Sequence, residues 1–377
     1  MNDVEDTKSL CFILVKIAEN CINNLPILQY VFIRMEEILG LTPDVEIPSG
    51  DITSKRAVYF ANDQGQLPSA PFLRGMQSGD ALIQRSAACV YACLLVYLNG
   101  DLQAFVNWLT GQFHIAPIEN LLPPLCMIMR KEAAREALAK ASGINLIVAK
   151  LFKIGVNGNA QHIYELTFCL WTISLDRKID QTAFLSTGAI RILADLLASA
   201  PSRKVVRMAL ATLHNLASVE HEGVVTEMLT SGLQRLLESM IRSNSHTQGG
   251  DPEVEADVKA LSEVLLKNFR ELSTFERWVS EIQSGALRWG VVHTEKFWRE
   301  NAKLLEADDF KLLKQLIALL RSDDPVRQRK YLTSVGLIKI YRSLFRLLFM
   351  ISESLRDSIR MAVASPKLWV ARTLPCR

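Results

Sequence analysis

The stretch SGINLIVAKLF (Ser142–Phe152) recurs in pattern as TGAIRILADLL (Thr187–Leu197), and this pattern decides the fold. In both stretches a hydroxyl residue and a glycine precede apolar residues at the fourth, fifth, eighth and ninth positions after the glycine. That spacing places the apolar side chains on one face of an α-helix. The hydroxyl in front can accept a hydrogen bond from an unpaired backbone N–H of the first turn. Each stretch therefore predicts a helix that opens at its glycine.

The same pattern occurs twice more and sets a period. The four glycines, at positions 100, 143, 188 and 232, are separated by 43, 45 and 44 residues, and Asn99 and Ser231 precede the two additional ones. More thoroughly apolar helices are expected to alternate with the glycine-led ones, at 84–98, 162–175, 204–217 and 257–272. Helical units of about 40–47 residues are typical of armadillo and HEAT repeats. The sequence predicts an all-α protein, an armadillo/HEAT-type right-handed α-solenoid.

Composition and charge exclude several functional classes. The chain has 377 residues, 49% of them hydrophobic and 22% charged, which is typical of a folded globular protein. Its longest apolar run, Ala87–Leu98, has 12 residues, whereas a membrane-spanning helix needs about 20. We therefore expect no direct membrane span.

The net charge of +3 is unevenly distributed. Residues 327–377 contain 11 basic and 2 acidic residues, a net charge of +9, whereas 1–326 contain 32 basic and 38 acidic residues, a net charge of −6. A mildly acidic body is not the basic face that nucleic-acid binding requires, so we expect no nucleic-acid partner. The swing in charge predicts a domain boundary near Val326, with the segment 41–80, rich in glycine and proline, as the least regular part of the body.

Motifs for catalysis, cofactors and metals are missing from the sequence. It has no phosphate-binding G-x-x-x-x-G-K-[ST] loop, and His221-Glu222 lacks the second histidine of a zinc-protease helix. Cys89 and Cys93 stand one helical turn apart, but no further cysteine or histidine completes a metal site, so we expect them to pack in the core. The sequence predicts no catalytic, cofactor-binding or metal-binding residues and a protein that is not an enzyme.

One segment, 278–302, is dense in large side chains and holds three of the six tryptophans. Tryptophan and arginine are frequent in interaction hot spots, which favours a partner contact. The alternative is that Trp289, Phe297 and Trp298 close the end of the helical array, as a terminal repeat requires. Both interpretations stay open at this point.

This segment also carries a resemblance. SGALRWGVVHTEKFWRENAKLL (284–305) and LLKQLIALLRSDDP (312–325) closely resemble the regulatory H subunit of the vacuolar-type proton-pumping ATPase (V-ATPase). Weaker similarity extends back to residue 8, through FVNWLTGQ (105–112) and IYELTFCLWTISL (163–175). The motif residues, which are also the candidate partner contacts, are Trp289, His293, Phe297, Trp298, Arg299, Glu300 and Asn301.

The resemblance implies a non-catalytic helical solenoid that acts through protein–protein contacts. It implies partners in the peripheral stalk, the catalytic sector and the cytosolic part of the membrane sector, and a peripheral location on the cytoplasmic face of acidified endomembranes. It also implies a role in coupling ATP hydrolysis to proton transport. In the family, a smaller C-terminal domain is associated with silencing ATP hydrolysis when the peripheral sector is released.

The sequence is expected to depart from the family after Val326. We expect an N-terminal repeat domain over 1–326 and a divergent basic tail over 327–377 in place of the family's C-terminal repeats, which puts the silencing role in doubt. An alternative function is a generic armadillo-repeat adaptor that binds an extended peptide in its groove. Such adaptors present a ladder of Asn and Trp side chains, and Asn215 and Trp171 fall in inner helices without forming a regular ladder.

Overall fold

The structure is a computed structural model of the chain. It describes residues 2–284, apart from 22, 42–49, 63, 200–201, 220 and 245–251. Beyond these it describes single positions, at 292, 297, 300, 301, 304, 311, 312 and 315. The predicted boundary near Val326 and the basic tail over 327–377 lie outside the described residues.

Between residues 2 and 284 the described residues form seventeen α-helices and one 3₁₀ turn (Val58–Phe60), and no described residue is in a β-strand. The first eight helices are α1 (Asn2–Asn20), α2 (Leu25–Leu39), α3 (Gly50–Ala57), α4 (Ser69–Met76), α5 (Ala81–Tyr97), α6 (Leu102–Ile115), α7 (Ile118–Ile128) and α8 (Glu132–Lys140). The others are α9 (Gly143–Ile154), α10 (Ala160–Ser174), α11 (Thr182–Ser186), α12 (Ala189–Ser199), α13 (Arg203–Ser218), α14 (Glu222–Thr230), α15 (Leu233–Asn244), α16 (Pro252–Leu272) and α17 (Phe275–Ser284).

From α6 onward the helices come in threes, and each trio begins at one of the periodic glycines. The first helices of the trios are α6, α9, α12 and α15, and the second helices are α7, α10, α13 and α16. First helices of successive trios pack together, α6 on α9 and α9 on α12. Second helices do the same, since α7 packs on α10 and α10 on α13. The predicted fold class, an all-α helical-repeat solenoid, is confirmed; its right-handed sense stays a prediction.

Gly188 and Gly232 stand at the start of trios, but they do not follow a hydroxyl cap of the next helix as predicted. Gly188 and Gly232 have φ of +75° and +83°, the left-handed conformation that ends a helix. The hydroxyls before them do not cap the next helix. Thr187 Oγ1 donates back to Phe184 O, and Ser231 Oγ donates back to Met228 O. The glycine therefore marks where one helix ends and the chain turns into the next.

Two other predicted caps are displaced along the chain. In the first trio Asp101 caps α6, because its carboxylate accepts from the Ala104 N–H at 2.9 Å. Before α17 we expect Ser273 to cap the helix together with Glu276, by their capping-box spacing. In the structure Thr274 does so, since its hydroxyl accepts from Arg277 N at 3.4 Å. Pattern alone places a cap to within one or two residues.

The helix α7 is not among the predicted inner helices. It contains Pro123 and Pro124, which each lack the N–H of a regular helical turn. Pro124 is buried beside Leu121, Leu122 and Leu125, so tertiary packing holds the segment helical. The segment 41–80 contains α3, α4 and the 3₁₀ turn, whereas residues 42–49 are not described.

The chain divides into two units, Met1–Val224 with Ser239–Leu261, and Val225–Glu238 with the described residues from Ser262 onward. In the first unit, a row of aromatic rings runs through the core. Phe72 contacts Phe32 with ring centroids 6.3 Å apart and Tyr91 at 5.5 Å, and Tyr91 contacts Phe105 at 5.9 Å. In the second unit, the side chains of Trp278, Ile282, Val292 and Phe297 are buried.

Polar bonds tie the helix ends of the first unit together. Lys131 Nζ donates to the backbone oxygens of Leu95 and Leu98, at the end of α5, and the Leu98 bond is 3.2 Å long. A cation there satisfies carbonyls that the helix leaves unpaired and opposes the negative end of its dipole. Trp108 Nε1 donates to Met76 O at 2.9 Å, at the end of α4. These bonds link elements distant in sequence.

Candidate protein-interaction surfaces

The densest acidic cluster in the described part of the chain is an ion-pair network. The carboxylate oxygens of Glu132, Glu136 and Asp176 lie within 4.8 Å of one another. Lys178 Nζ lies 2.5 Å from Glu132 and 3.8 Å from Glu136, and Arg135 lies 3.5 Å from the buried Asp176. The bond from Lys178 lowers the pKa of Glu132 and raises that of Lys178. The network ties α8 to the loop after α10.

The buried thiols behave as core residues. Burial raises the pKa values of Cys11, Cys89 and Cys93 to about 12, so these groups stay protonated at neutral pH. A protonated thiol is neither a good nucleophile nor a metal ligand. The prediction that Cys89 and Cys93 pack in the core is confirmed, because both are buried in α5.

Exposed apolar side chains are concentrated on the first two helices. Phe12 and Ile13 of α1 are 54% and 52% exposed, and Tyr30 of α2 is 62% exposed. We call the N-terminal apolar set these three residues together with Leu10, Leu25 and Ile27, which are also exposed. Lys16 Nζ lies 5.7 Å from the centre of the Phe12 ring, within cation–π range. Exposed apolar residues that form a patch mark contact surfaces, which makes this set a candidate for one.

Sequence periodicity did not reveal the N-terminal apolar set. The segment Leu10–Ala18 is apolar at every position except Lys16, which is more than one buried helix face needs. In the structure Cys11, Leu14, Val15 and Ala18 are buried, whereas Leu10, Phe12 and Ile13 remain exposed. The sequence sign of this surface was therefore that apolar residues occupy more of the circumference of α1 than one buried face needs.

A second candidate surface lies on α10. Tyr164, Phe168 and Trp171 recur at helical spacing on one side of the helix, are each partly exposed, and are followed by the exposed Leu175. Phe168 and Trp171 contact each other with ring centroids 5.8 Å apart. Both rings are therefore partly open to solvent and in contact with each other.

The neighbouring helix α13 carries Asn215, whose side-chain amide is already hydrogen-bonded within the protein. Asn215 Nδ2 donates to Ser174 Oγ at 3.0 Å, which joins α13 to α10. In a groove that binds an extended peptide, such an amide would be directed at the peptide backbone. Here it is used within the protein, which weighs against the alternative adaptor function.

Three of the seven motif residues are described. Phe297 is only 1% exposed, so it is a core residue of the second unit. Asn301 is partly buried, and its Nδ2 donates to Phe297 O at 2.9 Å, while Glu300 is exposed. Of these three side chains, only Glu300 is freely accessible to a partner. The other four, Trp289, His293, Trp298 and Arg299, lie outside the described residues.

None of the helices in the described residues combines the length and the apolar character that crossing a membrane would require. The sequence prediction of no direct membrane span covers the whole chain, whereas this finding covers the described residues.

Two family sequence models match the chain, and both describe the V-ATPase H subunit. The N-terminal model matches residues 2–265 and the C-terminal model matches residues 271–356. The second match includes 327–356, so the expectation that similarity ends at Val326 is wrong. The high basic charge after Val326 suggested unrelated sequence, but net charge does not determine fold or family and is compatible with a family match.

Curated relatives carry the same name. The V-type proton ATPase H subunit of Dictyostelium discoideum is 26% identical over 311 residues, covering 80% of this chain and 67% of the relative. That of Drosophila melanogaster is 26% identical over 308 residues, covering 78% and 63%. The second of two probable H subunits of Caenorhabditis elegans is 32% identical over 235 residues, covering 60% and 49%. The chain thus spans about half to two thirds of the length of these relatives, and with both family models matched it belongs to the V-ATPase H subunit family.

Proposed function

We propose that this protein is a non-catalytic regulatory subunit of a V-type proton ATPase that supports the coupling of ATP hydrolysis to proton transport. The observation that carries the proposal is the match to both H subunit models, over 2–265 and 271–356. The lack of a phosphate-binding loop in the sequence is consistent with a role outside catalysis.

The proposed partners are the other V-ATPase subunits: the peripheral stalk, the catalytic sector and the cytosolic part of the membrane sector. The proposed location follows from these partners and is the cytoplasmic face of acidified endomembranes. Helical-repeat proteins bind through extended side-chain surfaces, which suits a protein that touches several neighbours.

We assign part of the contact to the N-terminal apolar set. Phe12, Ile13 and Tyr30 are each more than half exposed, and large apolar side chains stay exposed at a cost unless a partner covers them. An aromatic anchor such as Tyr30 is also the residue type that dominates interaction hot spots. In the motif, Glu300 is the described residue whose exposure suits a contact.

The silencing of ATP hydrolysis is a second proposed activity, distinct from coupling. The reason for doubting it was the expected loss of the C-terminal repeats after Val326. The match of the C-terminal family model to 271–356 weakens that reason, and silencing is therefore proposed alongside coupling. Silencing is measured as the ATPase rate of the isolated peripheral sector with and without the added chain.

The test uses vacuolar membranes from cells that lack their own H subunit. Adding the full chain should restore ATP-driven proton uptake, measured with a pH-sensitive dye. The variant Phe12→Ser/Ile13→Ser/Tyr30→Ser should bind these membranes at least tenfold more weakly. Ile115→Ser is the matched control, because Ile115 is 76% exposed but lies on α6, away from the set in sequence.

The outcomes separate the two parts of the proposal. No restoration of proton uptake by the correctly folded chain would contradict the proposed function. Restoration with equal binding by the triple variant would contradict only the assignment of the N-terminal apolar set. Circular dichroism of each variant checks that helical content is unchanged.

A further inference from the structure

Two cysteines from neighbouring repeats lie in contact. Cys126 of α7 and Cys169 of α10 have their Sγ atoms 3.9 Å apart, and they are 43 residues apart in sequence. A disulfide needs a sulfur–sulfur distance of about 2.05 Å. The two sulfurs must therefore approach by about 2 Å, a distance within reach of side-chain rotation at two Cβ atoms.

The two thiols differ in their access to solvent. Cys126 is partly exposed, and Pro123, three residues before it on α7, is exposed. Cys169 is fully buried beneath it. One member of the pair can therefore meet a small dissolved oxidant, and the other is held within reach to complete a second step. Cys89 and Cys93 are both buried, so they lack the accessible member.

We propose that Cys126 and Cys169 form a reversible disulfide when the protein meets hydrogen peroxide. The Cys126 sulfur attacks a peroxide oxygen, so that an S–O bond forms and the O–O bond breaks. Cys126 is oxidised by two electrons to a sulfenic acid, and the peroxide is reduced to water. The Cys169 sulfur then attacks the Cys126 sulfur; the S–S bond forms, the S–O bond breaks, and the hydroxyl leaves with the Cys169 proton as water.

The surroundings of the pair set this order of events. Burial, together with the hydrogen bond and charge of Cys126, raises the pKa of the Cys169 thiol well above its ordinary value. A thiol held protonated is a poor first nucleophile, so Cys126 is the residue that reacts with peroxide. Cys169 acts afterwards, when the sulfenic acid has been placed against it. A dithiol reductant reverses the reaction by thiol–disulfide exchange.

The bond would tie two repeats together. It joins α7 to α10, which already pack on each other as successive second helices. A cross-link that closes a loop of this length lowers the conformational freedom of the unfolded chain and slows local opening. The oxidised protein should therefore have a higher Tm than the reduced protein and slower amide hydrogen exchange in α7 and α10.

The experiment counts thiols in the purified full chain before and after treatment with hydrogen peroxide. The protein is denatured in N-ethylmaleimide and its intact mass is measured. The reduced chain has seven cysteines and should take up seven labels; the oxidised chain should take up five. Dithiothreitol should restore all seven. Digestion without reduction should yield a cross-linked peptide pair that contains Cys126 and Cys169.

Variants assign the bond to this pair. Cys126→Ser and Cys169→Ala should each abolish the loss of two labels, and Cys169→Ala should trap a sulfenic acid on Cys126 that reacts with dimedone. Cys21→Ser is the control, since Cys21 is also partly exposed and should leave the loss unchanged. Alanine at 169 avoids placing a hydroxyl in the core, and circular dichroism checks its fold.

Two results would overturn the proposal. The first is retention of all seven labels under peroxide that oxidises a free low-molecular-weight thiol completely. The second is a loss of two labels that persists in Cys126→Ser, which would place the disulfide elsewhere.

Discussion

Asn215 Nδ2 donates a hydrogen bond to Ser174 Oγ over 3.0 Å, and this bond crosses from one repeat to the next. Ser174 Oγ in turn donates to Trp171 O at 2.7 Å. Ser174 is buried at the end of α10, where the last carbonyls of a helix have no partners within the helix. The pair therefore fixes α13 against the end of α10 while satisfying groups that water cannot reach freely.

Replacing Asn215 by Ala should lower the free energy of unfolding by about 1 kcal/mol, because a buried hydroxyl oxygen loses its donor. Urea unfolding followed by circular dichroism measures the change. Asn145→Ala is the control, since Asn145 is exposed on α9, and it should change stability by less than about 0.5 kcal/mol. An equal loss in both variants would argue against the repeat-to-repeat role of Asn215.

Glu36 should make the protein more stable as a neutral acid than as a carboxylate. It is buried on α2, and burial raises its pKa above the ordinary value of 4.5, partly offset by Arg85 and by the 3.1 Å bond from Ser86 Oγ. A raised pKa in the folded state means that folding favours the protonated form. Its stabilising contribution is complete below pH 4.5 and is lost as the pH rises through the folded-state pKa.

Glu36→Gln should therefore be more stable than the unchanged protein at neutral pH, with the difference shrinking toward pH 4. Glutamine is neutral and keeps an oxygen for Ser86. Thermal unfolding at several pH values measures the difference, and Glu37→Gln on the exposed side of α2 is the control. A difference that is constant with pH would show that titration of Glu36 does not contribute.

Gly75 should tolerate no side chain, since a Cβ there would lie 2.7 Å from Phe32 Cζ and 2.8 Å from Ala87 Cβ. Gly75→Ala should destabilise the protein by about 1–3 kcal/mol through overpacking. Gly111→Ala on α6 is the control, because nothing lies within 4 Å of its Cβ position. Alanine there should stabilise the helix by about 0.5–1 kcal/mol. The two denaturation midpoints should thus move in opposite directions; a shift of both in the same direction would contradict the close packing of α2, α4 and α5.

Lys131→Met should lower stability by about 1–2 kcal/mol, since the carbonyl groups at the end of α5 lose a charged donor. Methionine keeps much of the apolar stem, so the loss reports the ammonium group. Lys140→Met is the control: Lys140 is exposed and its ion pair with Glu136 is 4.0 Å long, which is worth less than about 0.5 kcal/mol. Guanidinium unfolding compares them, and equal effects would contradict the capping role.

Periodicity predicted the repeat because the same local pattern returns every 43–45 residues, and repeated units must stack to bury their faces. It missed α7, where Pro123 and Pro124 oppose the helix locally and tertiary packing overrides them. It also assigned the hydroxyls of Thr187 and Ser231 to the wrong helix. A hydroxyl beside a glycine can bond forward or backward, and the left-handed glycine decides which.

The candidate site residues were less predictable than the fold. The motif was recognised as a whole, but burial of Phe297 depends on contacts between distant segments, which no local pattern reports. The contact of Cys126 with Cys169 likewise depends on how α7 and α10 pack. The N-terminal apolar set was hidden because α1 is apolar on several sides, and only the packed structure separates its buried residues from its exposed ones.

Purification of the tagged full chain from cells that contain a V-ATPase, followed by quantitative mass spectrometry of the bound proteins, tests the central claim most directly. Tags at the N-terminus and at the C-terminus are used separately, and an untagged chain is the background control. The account predicts that components of the V-ATPase peripheral stalk and catalytic sector are enriched at least tenfold over background. Recovery of these components at background level with both tags would contradict it.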